Sequence, residues 1–257
     1  MVREHYDPEV RRRLQANSDH DVVLNKYFEE WYEHIEWNLR ARLAKGGVSY
    51  DYEEDCDLFE ECRKHAEENA RQIEAQSVIM LTHPFYLQLS HMQHIKTPQI
   101  RKESNEYRDR LMDLFETNLP HNSVGLVVLD TIHHYAAATS LLLERGKIDA
   151  VIFTLHDDGY PVKPFELEQF SEKDIYVGGC YNGRDRYDRK GCLTRSIGMI
   201  RKKVQSEEQI WAISDLILNT PRGKRTTLKP VKIYLGDGYF PDKRIITLDQ
   251  LIEKFRV

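Results

Sequence analysis

Short, unbroken apolar runs alternate with segments of helical spacing from Val78 onward. Residues 78–82, 124–130 and 150–155 are rich in β-branched side chains and do not alternate with polar ones. Strands buried on both faces of a parallel sheet read this way. Between the second and third runs, Leu141, Leu142 and Leu143 lead to Arg145 and Gly146, a helix end with glycine just past it. Strand, helix, strand at this length predicts a right-handed βαβ unit whose two strands point the same way. Tyr107, Leu111, Leu114 and Phe115 predict one face of a helix from near Pro98 to Asn118. A fourth strand is expected at 174–177. A helix from about Gly191 follows, with Leu193, Ile197, Ile200 and Val204 inward. The pattern ends with a strand at 231–235 and a terminal helix from Thr247 or Leu248 to Phe255.

One stretch fits two periods. Ser206 with Gln209 is a capping-box signature, and Ile210, Ile213 and Ile217 have helical spacing, so 206–218 is read as helix. The apolar run 210–218 would also suit a strand.

Upstream, Leu24, Phe28, Trp31, Ile35, Leu39 and Leu43 form one stripe, and Leu58, Cys62, Ala66, Ala70 and Ile73 a second. They predict a helical hairpin over residues 1–76. Two narrow stripes cannot close a core, so the hairpin is expected to pack on the sheet domain of 77–257 or to pair two copies into a homodimer. The whole reads as an α/β protein. It is a three-layer sandwich with a mainly parallel sheet of about five strands, Rossmann- or flavodoxin-like, preceded by the hairpin.

Composition narrows the class. The chain has 257 residues, 40% hydrophobic and 31% charged, with net charge -5. That acidic balance argues against nucleic acid as a partner. No apolar run approaches the ~20 residues that span a bilayer, and residues 1–13 lack the apolar core of a signal peptide. Four cysteines without paired CxxC spacing suggest free thiols in a cytoplasmic setting.

The candidate chemistry gathers at the predicted strand ends. Ligands in open α/β sheets bind beyond the carboxyl ends of the strands. There stand His83, then Asp130 with His133 and His134, then His156, Asp157 and Asp158. Seven of the eleven histidines lie between 83 and 156, the part that builds these ends. Imidazole and carboxylate together suit acid–base chemistry near neutral pH or a divalent metal. His83, Asp130, His156 and Asp158 are the candidate metal ligands, although no fixed ligand spacing is present. Gly179, Cys180, Asn182, Gly183 and Arg184 follow the fourth strand. Glycines between a strand and a helix let backbone N–H groups approach an anion, and Arg184 could pair with it. Arg222 to Arg225 with Lys229, and Asp237 to Tyr239, read as a solvated loop and a turn.

Cysteine chemistry is the third candidate. Cys192 sits near a helix start, where the dipole favours a thiolate, and Cys180 at a strand end. Leu126 to Asp130 is similar to the first strand and aspartate of the isochorismatase-like cysteine hydrolases. Gly191-Cys192-Leu193 resembles that family's cysteine at a helix start, and Lys163 stands where its lysine could. The resemblance implies a thiol hydrolase.

The expectation is therefore a hydrolase acting on a small anionic, phosphorylated or nucleotide-like molecule, with Asp130, His156, Asp157 and Cys192 as the catalytic candidates. A non-catalytic nucleotide-binding or sensor module would use the same crevice.

Overall fold

The computed structural model describes residues 62–85, 98–135, 139–155, 159–183, 190–219, 227, 229–230 and 232–256. Most of the hairpin expected in 1–76 lies outside the described residues, and so do His156, Asp157, Asp158 and Arg184. The strands are β1 (Ser77–Thr82), β2 (Val124–Asp130), β3 (Ala150–Leu155), β4 (Tyr160–Pro161), β5 (Asp174–Asn182), β6 (Ile210–Asn219), β7 (Tyr234–Leu235), β8 (Gly238–Tyr239) and β9 (Ile245–Ile246). The helices are α1 (62–69), α2 (Pro98–Glu116), α3 (Ser140–Glu144), α4 (Cys192–Arg201) and α5 (Leu248–Phe255).

One sheet runs β4-β3-β2-β1-β5-β6-β9, and every pair in it is parallel except β3 with β4. β1 explains the apolar runs. All six of its residues are buried, and successive side chains point to opposite faces. Ile79 and Leu81 enter a core beneath α1, α2, α3 and α5. Val78 and Met80 enter a second core beneath α4 and the 3-10 turn Pro164–Phe170. Helices on both faces of a parallel sheet make the three-layer α/β sandwich expected, of the doubly wound Rossmann-like kind. Cys62 and Ala66, from the hairpin's second stripe, are buried in the first core.

The helix read at 206–218 is instead strand β6. The capping box is real, with Ser206 accepting from Glu208 N and Gln209 reaching back to Ser206 N, but it caps a single 3-10 turn, Glu207–Gln209. Ile210 then enters the sheet beside Ile175, where ladder hydrogen bonds and burial on both sides outweigh helical spacing. A bulge opens in β6: Val177 pairs with Ala212, but Gly179 pairs with Ile217. It carries Asp215 to the start of α5, where it accepts from Leu248 N (2.8 Å) and pairs with Arg110 Nε (3.3 Å). The strand read at 231–235 shrinks to a two-residue arm of the β7–β8 hairpin, and β9 becomes the last parallel strand.

α5 follows its sequence signals closely. Thr247 accepts from Gln250 N, and Gln250 accepts in turn from Thr247 N. Leu248, Leu251, Ile252 and Phe255 are buried, each worth about 1.5–3 kcal/mol of apolar transfer. No helix among the described residues is long and apolar enough to cross a membrane.

Candidate functional site

The strand order reverses at β1. Chain succession runs outward from β1 through β2 to β3, then returns to the other side of β1 with β5 and continues to β6 and β9. Thr82 is the register partner of Leu129 on one side and of Gly179 on the other. The next positions, His83, Asp130 and Cys180, therefore form a row across the carboxyl ends of three adjacent strands. In open α/β sheets the crevice at such a reversal is where ligands sit.

A buried polar cluster occupies this row. Asp130 has no solvent exposure. One carboxylate oxygen accepts from Thr131 N (3.0 Å) and faces His134 Nδ1 (3.2 Å), while the other accepts from Thr139 Oγ1 (2.6 Å). Thr131 also caps the helical turn Ile132–His134 by accepting from His134 N. That turn places His134 over Asp130, four residues earlier, because positions i and i+4 meet on a helical surface. His83 adopts φ 46°, a left-handed conformation uncommon for a side-chain-bearing residue. The turn carries its ring over the end of β2, where Nε2 meets Thr154 Oγ1 on β3 (2.8 Å). The His83 and His134 rings stand edge to face, 5.9 Å apart. A buried carboxylate without partners would be strongly destabilising, so three donors on one buried acid amount to a built constellation.

The glycine segment differs from its reading. Gly179, Cys180 and Asn182 belong to β5, not to a loop. Gly179 has φ 116°, and a Cβ there would collide with the Thr82 carbonyl, so glycine permits the close β1–β5 approach. Asn182 is buried and used structurally. Its amide donates to Asn219 Oδ1 and Lys232 O, and its oxygen accepts from Tyr234 N, all at 2.9 Å. The Gly183 amide donates to Thr194 Oγ1 (2.8 Å). These duties tie β5 to β6, α4 and the β7 arm, and they occupy groups that an anion cradle would need. Cys180 donates to Tyr107 Oη on α2 at 3.8 Å, and burial pushes the Tyr107 hydroxyl well above the ordinary tyrosine range.

Cys192 is the first residue of α4, with Gly191 as its N-cap and no side-chain capping bond. Ser196 Oγ bridges Gly159 O (2.7 Å) and Cys192 O (3.1 Å), fixing the return from β3 against the start of α4. Asp130, the aspartate of the cysteine-hydrolase resemblance, stands on the second strand; the central strand β1 ends in His83. Lys163 precedes the 3-10 turn and lies close enough to oppose the rise that burial gives the Glu166 carboxyl.

Among the described residues no group of three His, Cys, Asp or Glu side chains is arranged to hold a metal. A cavity of about 920 Å³ lies between α2, β6 and residues 229–245. Its charges are largely paired, Glu106 with Lys229 (2.7 Å) and Arg110 with Asp113, Asp215 and Asp249. The Lys229 ammonium holds the Glu106 carboxyl below its usual range. Those pairs make an ionic seam joining α2 to the C-terminal segment, and Tyr107, which accepts from the Cys180 thiol, lines the same cavity.

Sequence reasoning singled out Asp130 and His83, named His134 only beside His133 at the strand end, and overlooked Thr131, Thr139 and Thr154. The Asp-x-x-x-His spacing at a strand–helix junction was the available signal, since it sets both groups on one face of the first turn. The threonines carried none. Compared with family models, with curated proteins and with solved structures, the chain matches none of them.

Proposed function

We propose that this protein is a hydrolase acting on a small anionic molecule, phosphorylated or nucleotide-like, seated beyond the carboxyl ends of β1, β2 and β5. The observation that carries the reading is the fully buried Asp130 bonded to His134 beside His83 at the strand-order reversal. Asp130 fixes the ring with the Nδ1 proton toward the carboxylate, which leaves Nε2 as the nitrogen that takes a proton. His134 accepts a proton from water as it attacks and returns it to the leaving group, and Asp130 stabilises the imidazolium between those steps. The anionic character of the substrate is favoured by α4. Its N-terminus lies at this rim without a side-chain cap, so its amides and dipole attract negative charge.

A second reading rests on Cys192. A thiol at the first helical residue is biased toward thiolate and could attack a carbonyl carbon. One experiment separates the two. Wild type, Asp130→Asn and Cys192→Ala are assayed on phosphate monoesters, nucleotides, esters and amides. Acid–base hydrolysis requires that Asp130→Asn lose about 10²–10⁴-fold in rate and that Cys192→Ala stay near wild type. Loss of turnover in Cys192→Ala, whether or not Asp130→Asn also loses it, establishes the thiol enzyme. No turnover on any class, with nucleotides raising the melting temperature, favours a binding module.

A further inference from the structure

A second cavity lies at the opposite, amino-terminal end of the sheet, about one strand length, roughly 20 Å, from the Asp130 cluster. It encloses about 410 Å³ below the start of β2 and the end of α3, within the range of small-ligand pockets. Arg71, His121, Arg145 and Lys147 line it, and Asp149 is the only acid among the described residues that do.

That acid is fully engaged. Asp149 is buried; one oxygen accepts from Leu126 N (2.8 Å), and the other faces His121 Nδ1 (2.9 Å). Arg71 Nη1 lies 3.1 Å from His121 Nε2. A guanidinium can only donate, so Nε2 is the accepting nitrogen, and Nδ1 carries the proton given to Asp149. A relay runs from Arg71 through a neutral imidazole to a carboxylate anchored on the β2 backbone. The consequence is electrostatic. Arg71 is held by a neutral acceptor rather than by a carboxylate, so its position is fixed while its charge is not neutralised. The backbone reinforces this placement. Arg71 N donates to Asp149 O (2.7 Å), and Gly146 (φ 62°) leaves room for the guanidinium where a Cβ would strike it. Lys147, next in the chain, adds a second charge on the same wall.

We infer that this cavity is a binding site for a compact polyanion of the phosphate or phosphate-ester class, separate from the carboxyl-terminal rim and independent of the function proposed there. Arg71 makes a paired hydrogen-bond fork to it, and Lys147 supplies further charge.

Isothermal titration calorimetry with pyrophosphate, on the full chain at ionic strength matched with sodium chloride, tests this. Saturable binding is expected, weakened about tenfold or more in Arg71→Gln and several-fold in Lys147→Gln, as loss of a charged hydrogen bond implies. Lys147 has no ion pair among the described residues, so its variant keeps the fold even if Arg71→Gln does not. The binding lost in Lys147→Gln persists in Asp130→Asn, whatever that variant does to binding at the other rim. Absence of saturable heat overturns the inference, as does unchanged binding in both cation variants. Loss of binding in Asp130→Asn with no loss in Lys147→Gln also overturns it, by placing the anion at the other rim.

Discussion

Replacing Asp130 in two different ways separates its structural role from its chemical one. Asp130→Ala removes the acceptor of three buried donors: Thr131 N, Thr139 Oγ1 and His134 Nδ1. Each donor left without a partner costs about 1–3 kcal/mol. Relief from burying a charge offsets part of the sum, which leaves a net loss of about 3–6 kcal/mol. Asp130→Asn behaves differently because the two carboxylate oxygens have different partners. The oxygen facing Thr131 N and His134 becomes the amide oxygen and keeps both. The other becomes the amide nitrogen, and it faces only Thr139, whose hydroxyl can rotate to accept. The expected cost is about 1 kcal/mol or less, the size of one exchanged neutral hydrogen bond. At about 2–4 °C per kcal/mol for a chain of this size, Asp130→Ala melts about 6–24 °C below wild type and Asp130→Asn within about 4 °C. Urea denaturation followed by circular dichroism reads both as midpoint shifts at constant slope. If Asp130→Ala lies within about 1 kcal/mol of wild type, or Asp130→Asn is equally damaged, the hydrogen-bond assignment is wrong.

Three further outcomes are expected. Gly179→Ala, which forces a Cβ against the Thr82 carbonyl at a positive φ, loses about 3 kcal/mol or more in the same urea assay. Gly198→Ala, mid-α4 with open space around the added carbon, gains about 0.5–1 kcal/mol. On the acid side, the Asp249 carboxyl is lowered by its hydrogen bond to Arg110. A lowered native value means its stabilisation is present above the unfolded carboxylate range, near about pH 4, and is lost as pH falls through the native value. Asp249→Asn therefore melts slightly below wild type near neutrality, and the difference closes as pH falls below about 4, so the variant has the shallower acid limb. An identical acid limb in the variant would contradict the Arg110 assignment.

Much of the architecture was legible because burial on both faces leaves an unmistakable run. β1, β2 and β3 read directly, and so did α2, α4 and α5, whose stripes face one core each. β6 was misread because Ile210, Ile213 and Ile217 satisfy helical spacing while sitting in a bulged strand, and because the capping box at Ser206 is genuine but ends after one turn. β9 has only two residues, too few for any period. At the site, position in the sheet made Asp130 and His83 visible. Which neighbours satisfied them was not visible, because Thr139 stands at the N-cap of α3, nine residues after Asp130, and Thr154 reaches His83 from β3. The glycines from 178 to 183 suggested an anion loop, and the structure uses Gly179 for close strand approach instead.

The central claim is that ligand meets this protein at the Asp130–His134–His83 cluster. Proton NMR of the imidazole resonances, assigned by single His→Gln variants and followed during titration with a turned-over substrate or its product, tests it directly. The account requires saturable shifts of the His83 and His134 resonances, with titration of that substrate tracking its kinetics. Unmoved His83 and His134 signals at saturating substrate would contradict it.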